Sequence, residues 1–343
     1  MVSWTGFDTD TAYRVAAACL GGVVVAAVGF AARAVAGARA GVIAAVIAAL
    51  SPYLWSTDLL VLSETLVALV TAGLLLAAYR YVRAPSPLGA AALGVLVALA
   101  TLTRAESFLL FPLLALPLAW RGPAARARVQ RLAAVTAATA LPLLPWVAYN
   151  MARFDEPTFI STGAGGALAA SSCDAVFYGR NVGWWQNRCI PDVPGDESVR
   201  DREMRTHALD YLGEHQSDLP RVVATRIGRV WQVYRPVHTA RLDSLEGRGE
   251  ATGLGAVLVH LAAIPLAIAG GFVLYARRRT VLPFVAIAAT VTITAALFYG
   301  AVRFRAPADV ALVVLAAVAL DTIAARVTAA RTASIGSALT RNR

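Results

Sequence analysis

The chain has 343 residues, of which 58% are hydrophobic and only 15% charged, and its mean hydropathy is +0.62. Such a composition excludes a soluble domain of this length and leaves a polytopic helical membrane protein. A net charge of +10 would suit nucleic acid, but the basic residues stand in short clusters between apolar runs, which is a membrane-topology pattern, so no nucleic-acid partner is expected.

A membrane-spanning helix takes about 20 apolar residues, and nine candidate segments follow one another at 13–32, 41–54, 59–79, 88–102, 107–120, 132–149, 254–275, 281–299 and 306–323. The expected fold class is therefore all-α and polytopic. It divides into N-terminal spans within 1–149, a polar loop over 150–252, C-terminal spans within 253–325 and a tail over 326–343. Alternate connections carry Arg33 and Arg39, Arg80 and Arg83, Arg121 to Arg131, Arg277 to Arg279, and the arginines from Arg326 onward; these belong on the cytoplasmic side. The other connections hold Asp8, Asp10, Asp58, Glu64, Glu106, Asp309 and the long loop, which makes that loop extracytoplasmic. Nine spans put the N-terminus outside. Since no basic region or apolar core precedes Tyr13, a further helix is expected upstream. Every basic side chain is arginine, alongside heavy alanine and valine use, the bias of a high-GC bacterial genome; a bacterial plasma membrane is the expected location, with membrane lipids as neighbours.

The long loop is balanced in charge and contains proline, glycine and aromatic residues, so a small folded module is predicted rather than a linker. Cys173 and Cys189 bracket a polar stretch of it, and in an oxidising compartment a disulfide is the natural reading. Cys19, inside an apolar run, is expected to be a small buried hydrophobe. In the second half of the loop Pro220 follows Asp218 at a first-turn position, and Val223, Ile227, Val230, Trp231 and Tyr234 recur at helical spacing. Arg221, Arg226 and Arg229 lie among them. Such a helix either rests in the membrane interface with its arginines near lipid phosphates or packs on the module with its arginines solvated. Trp184 and Trp185 suit stacking on a sugar ring, although aromatic packing is the commoner role.

Ionisable residues beside hydrocarbon mark candidate sites. Asp58, after Ser56 and Thr57, reads as a helix N-cap or first-turn carboxylate. Glu64 is about 9 Å farther along the same helix at 1.5 Å per residue, beyond the reach of capping. Arg104 and Glu106 stand where two spans meet, and Arg303, Arg305 and Asp309 form a third charged cluster. Three separated stretches thus deliver acids and guanidinium groups to one side of the membrane domain. That set suits group transfer from a lipid-linked phosphate: arginine forks bind phosphate oxygens, and a carboxylate can deprotonate an acceptor hydroxyl or hold a divalent cation. There is no glycine-rich phosphate loop, HExxH motif or convincing zinc spacing, and His207, His215, His238 and His260 are scattered and read as structural. Two other classes fit parts of the pattern. A lipid-linked substrate transporter or flippase would place charges within spans but should show internal repeats, and a non-catalytic assembly or scaffold protein would keep the outer module.

The segments SPYLW and SETL, the LTRAE turn, LPWVAYNMARFDEPTFISTGAGG and the closing YGAVRFRAPAD resemble the bacterial family 39-like glycosyltransferases of the GT-C superfamily, relatives of the protein O-mannosyltransferases. The resemblance implies a multi-spanning enzyme that moves a sugar, with inversion, from a polyprenyl-phosphate carrier to an acceptor outside the membrane. It further implies that Glu64 belongs to the second acidic motif, and that Arg104, Arg303 or Arg305 faces the carrier phosphate. In that superfamily the catalytic aspartate lies in the first outer loop; the chain is expected to begin after that loop, and Asp10, four residues before Arg14, reads as a local helix-start pair.

Overall fold

A computed structural model describes the backbone of residues 9–59 and 63–341, and side chains for 11–56, 63–247, 249–330 and 332. Among the described residues the regular structure is helical and no strand occurs. Helix α1 (Thr9–Ala36) is followed after Gly37 by α2 (Ala38–Leu50), and Ser51 separates α2 from the short α3 (Pro52–Leu59). Then come α4 (Ser63–Arg83) and α5 (Pro87–Thr103). Ser86 accepts a hydrogen bond from the Gly89 amide and Pro87 opens the first turn of α5, which satisfies one orphan amide and removes another.

The apolar stretch 105–119 does not form a continuous helix. It passes through a 3-10 turn (Ala105–Leu109) and a π turn (Phe111–Ala115) into α6 (Leu116–Ala119). Pro112 and Pro117 each remove an amide donor, so the regular ladder cannot run through. Helix α7 (Ala125–Arg153) carries Pro142 and Pro145 and stays helical throughout.

Within 150–252 lie α8 (Ala164–Ala169), α9 (Asp174–Phe177), α10 (Glu197–Glu214), α11 (Leu219–Val230) and α12 (Pro236–Asp243), and the chain closes with α13 (Glu250–Ala276), α14 (Leu282–Leu297) and α15 (Ala306–Arg341). Among the described residues α1, α4, α7, α13 and the 302–330 part of α15 are long and apolar enough to cross a membrane; the helices 38–50, 87–103 and 282–297 and the broken helical stretch 105–119 are shorter apolar segments at the remaining expected positions. The protein is an all-α, multi-pass membrane protein. Large apolar side chains such as Phe30, Leu141, Leu258 and Phe272 point outward, as a lipid-facing belt requires. Cys19, expected to be buried, is exposed on α1.

Helix α15 packs against α13, α2, α4, α1 and α14, while α5 lies between α4 and α7. Small residues permit the closest crossings. A Cβ on Gly94 of α5 would come within 2.4 Å of the Val135 carbonyl oxygen on α7, and one on Gly270 of α13 within 2.0 Å of the Leu315 carbonyl oxygen on α15. Close backbone approach of this kind replaces the hydrophobic drive that lipid does not supply.

The two ends of the bundle differ. At one end arginines from successive connections meet: the Arg279 guanidinium donates to the Val35 carbonyl at 2.6 Å, Arg83 to that of Ala34, and Arg131 to those of Ala119 and Arg121. Arg39 pairs with Asp321 at 3.0 Å. The last carbonyls of a helix have no intrahelical partner and attract cations, so Arg279 and Arg83 cap α1 and tie neighbouring helices to it, while Arg131 caps the end of α6. At the other end lies the folded segment 150–252.

That segment is built around two buried arginines. Helix α11 starts as expected, with Asp218 and Pro220 at its first turn, but Arg226 is only 2% exposed and Arg229 fully buried. Neither expected arrangement, arginines at lipid phosphates or arginines in solvent, occurs for these two. Arg226 donates to the Ala296, Leu297 and Ser171 carbonyls, and Arg229 to those of Val182 and Arg180 and to the Thr239 hydroxyl. Burial pushes both guanidinium groups down to about 10, which leaves them charged at neutral pH. Since Ala296 and Leu297 end α14, Arg226 joins the loop segment to the membrane bundle.

The disulfide joins Cys173 and Cys189, whose Cα atoms are 5.7 Å apart. Cys189→Ser should cost about 3 kcal/mol, the chain entropy released by opening a loop of this length, and lower the unfolding midpoint of the segment. In non-reduced protein maleimide should modify neither cysteine, and ready labelling of both would reject the bridge.

Candidate functional site

A cavity of about 600 Å³ opens at the loop end of the bundle. Its walls come from four parts of the chain: the start of α4, the α5 end with its following turn, the stretch from Trp146 to Ala167, and the α14–α15 connection. Glu64, Arg104, Glu106 and Arg303 line it together.

Their placement follows from local breaks in the helices. Glu64 lies at the start of α4 (Ser63–Arg83). Asp58 is the seventh residue of α3, which opens at Pro52, so it does not stand at a helix start; its side chain, like those of Asp8 and Asp10, lies outside the described residues. Arg104 is the C-cap of α5 in extended conformation, which turns its side chain back across the cavity mouth. Its Nη1 donates to Glu64 Oε1 at 3.0 Å and its Nε to Glu106 Oε1 at 2.6 Å. Glu64 is 3% exposed, and a carboxylate this buried requires a charged, hydrogen-bonded partner. One guanidinium thus serves two carboxylates. Among the described residues no group of three His, Cys, Asp or Glu side chains is gathered as metal ligands.

Arg303 and Arg305 part company. They sit on the 3-10 turn Val302–Arg305, where each residue advances about 120° around the axis, so residues two apart face different directions. Arg303 faces the cavity, donating Nη2 to the Tyr299 hydroxyl at 2.7 Å, and its buried Nε has no hydrogen-bond partner. Arg305 turns into the bundle. It is fully buried, pairs with Asp309 at 2.8 Å, donates to the Val230 carbonyl and Gln232 Oε1, and lies over the Tyr53 ring. His260 joins this group through the Trp231 carbonyl at 3.1 Å. Arg305 and Asp309, expected beside Arg303, therefore belong to a separate polar network that fastens the end of α11 to α3 and α15.

Trp184 and Trp185 do not line this cavity. Trp184 is 4% exposed and packs with Tyr299 and Ala301, the packing role. Trp185 is half-buried and donates its indole N–H to Glu246 at 3.1 Å. The aromatic residues of the site were missed in the sequence: Phe304 lies under the Arg104 guanidinium, 5.0 Å from it, and Tyr299 holds Arg303. Their signal was the alternation of aromatic and arginine residues in YGAVRFR.

What the arrangement can do chemically is to receive an anion beside a hydrocarbon wall. Leu102, Trp146, Ile160 and Phe298 complete the lining, so cationic and apolar surfaces adjoin, as a ligand with both a charged and a lipid part demands. No curated protein and no solved structure matches the chain. Residues 3–149 match the family model described as dolichyl-phosphate-mannose-protein mannosyltransferase, so this N-terminal part is similar to that family of membrane glycosyltransferases.

Proposed function

We propose that the cavity binds the head of a polyprenyl-phosphate sugar and passes the sugar to an acceptor hydroxyl on the extracytoplasmic face of a bacterial plasma membrane. The observation that carries this reading is that Glu64, Arg104, Glu106 and Arg303, from three separate stretches of chain, line one cavity with a partly apolar wall. The sidedness rests on charge: the arginine end belongs in the cytoplasm, so the cavity and the module 150–252 face the other way.

In this reaction the acceptor oxygen attacks the anomeric carbon, a carboxylate takes the acceptor's proton, and the bond from that carbon to the phosphate oxygen breaks. Polyprenyl phosphate leaves with the electron pair. Arg303 supports the negative charge that grows on the leaving phosphate, with donors already in place before the reaction. Glu106 is the more accessible carboxylate of the pair, at 24% against 4% side-chain exposure for Glu64, and is the proton acceptor; Glu64 positions Arg104. Arg104 in turn fixes Glu106 and adds positive charge beside the donor.

The test uses the whole chain in lipid nanodiscs with a short-chain polyprenyl-phosphate mannose. Arg303→Ala should weaken donor binding by about 10- to 100-fold, the loss of one charge-assisted contact, with the thermal midpoint held near wild type. Absence of donor binding by wild type, or binding equal in both proteins, would reject the site.

A further inference from the structure

A second cavity of about 500 Å³ lies on the other side of Arg303, lined among others by Asn181, Trp185, Asn187, Arg188, Glu246 and Arg303. We infer that this cavity is a carbohydrate-binding subsite that holds a neutral glycan next to the first cavity; its role as the acceptor's seat rests on the glycosyl-transfer reading.

Its lining has the chemistry of sugar recognition. Three amides (Asn181, Gln186 and Asn187), a carboxylate and two guanidinium groups offer paired donors and acceptors for vicinal hydroxyls, and the indole of Trp185 provides flat apolar surface for the C–H face of a pyranose ring. With Glu246 set against Arg188 and Arg303 the lining offers acceptors as well as donors, as hydroxyls need, and an apolar ligand would leave the amides without partners. The volume lies within the range of ligand pockets.

The walls are also held in place before any ligand arrives. Asn187 and Arg188 lie in the short turn that ends at Cys189, which is bonded to Cys173, and the Gln186 amide donates to the Ala170 carbonyl at 2.9 Å. Trp185 is fixed at its N–H by Glu246. A ligand meeting prepositioned side chains avoids much of the ordering cost of binding.

The position links this cavity to the first. The Gly300 amide donates to the Gly183 carbonyl at 2.9 Å, which joins the Trp184–Trp185 strip to the connection bearing Arg303. The Trp185 and Tyr299 rings are 6.1 Å apart, and Tyr299 lines the first cavity. Arg303 lines both spaces. A glycan seated against Trp185 would present its end to the donor side of Arg303.

The full chain, labelled with 5-fluorotryptophan and held in nanodiscs, tests this by fluorine NMR with methyl α-D-mannopyranoside, methyl α-D-glucopyranoside and methyl α-D-arabinofuranoside added singly. The resonance missing from Trp185→Phe identifies the reporter. At least one glycoside should shift it saturably, and Asn187→Ala and Glu246→Gln should each weaken that response at least about tenfold while donor binding stays unchanged. If none of the three glycosides moves the Trp185 signal, or if the shift survives both substitutions undiminished, the subsite is refuted. Glycoside binding without donor binding would sink the transfer reading and leave the glycan site standing; donor binding without a glycoside response would do the reverse.

Discussion

Arg104→Ala is expected to reduce sugar transfer by at least about 100-fold and, unlike Arg303→Ala, to destabilise the protein as well. Arg104 joins Glu64, 3% exposed, to Glu106 across the cavity mouth. Removing the shared cation leaves a buried carboxylate without its partner and a second carboxylate beside it. Breaking a buried pair by deleting one member costs about 3–5 kcal/mol, and the misplacement of Glu106 accounts for the lost turnover. The double substitution Glu64→Leu with Arg104→Met separates the two effects. It should recover most of the stability, because neither charge remains to be satisfied, yet recover none of the transfer. Thermal unfolding and transfer from polyprenyl-phosphate mannose, measured on the same nanodisc preparations, decide the matter. Full activity of Arg104→Ala would remove this residue from the site.

Arg229→Ala should be the most damaging single change in the loop segment. Arg229 is fully buried, and its side chain satisfies the Val182 and Arg180 carbonyls of one 3-10 turn and the Thr239 hydroxyl of α12. Truncation leaves these acceptors buried and opens a cavity where the guanidinium lay, at a cost of about 1–3 kcal/mol for each group left unsatisfied. The expected result is a lowered unfolding midpoint and rapid proteolytic cutting within 150–252 while the spanning helices remain protected. Arg221→Ala provides the contrast. Arg221 keeps 49% of its side chain exposed and pairs with Asp218, so its loss should change stability by less than about 1 kcal/mol. Equal sensitivity of the two variants would contradict the role given to Arg229.

The resemblance read from short motifs agrees with the family match over residues 3–149, and motif order carried it further than any single residue did. Individual positions were harder. Arg226 and Arg229 stand at helical spacing among apolar residues, and that pattern is the same whether the apolar face meets lipid or protein. The arginine chemistry was legible; the backbone carbonyls that take it up, at Ser171, Val182 and Leu297, lie 47 to 71 positions away in sequence. Asp58 misled in a different way. It reads from the sequence as a helix start after Ser56 and Thr57, but the helix already opens at Pro52, directly after the break at Ser51.

Local quantities were enough to establish that this is a helical, multi-pass membrane protein and which connections share an end of the bundle. Apolar length and arginine placement act segment by segment, and water and lipid read them without reference to the rest of the chain. Which ionisable groups face one another is a different kind of quantity. It depends on the rotation of each helix and on the breaks at Ser51, Arg104 and Val302, and two neighbours such as Arg303 and Arg305 are sent to opposite fates by a 3-10 turn only four residues long. Only the packed bundle, by setting those rotations together, brought Glu64, Arg104, Glu106 and Arg303 to one cavity and withdrew Arg305 and Asp309 into the interior.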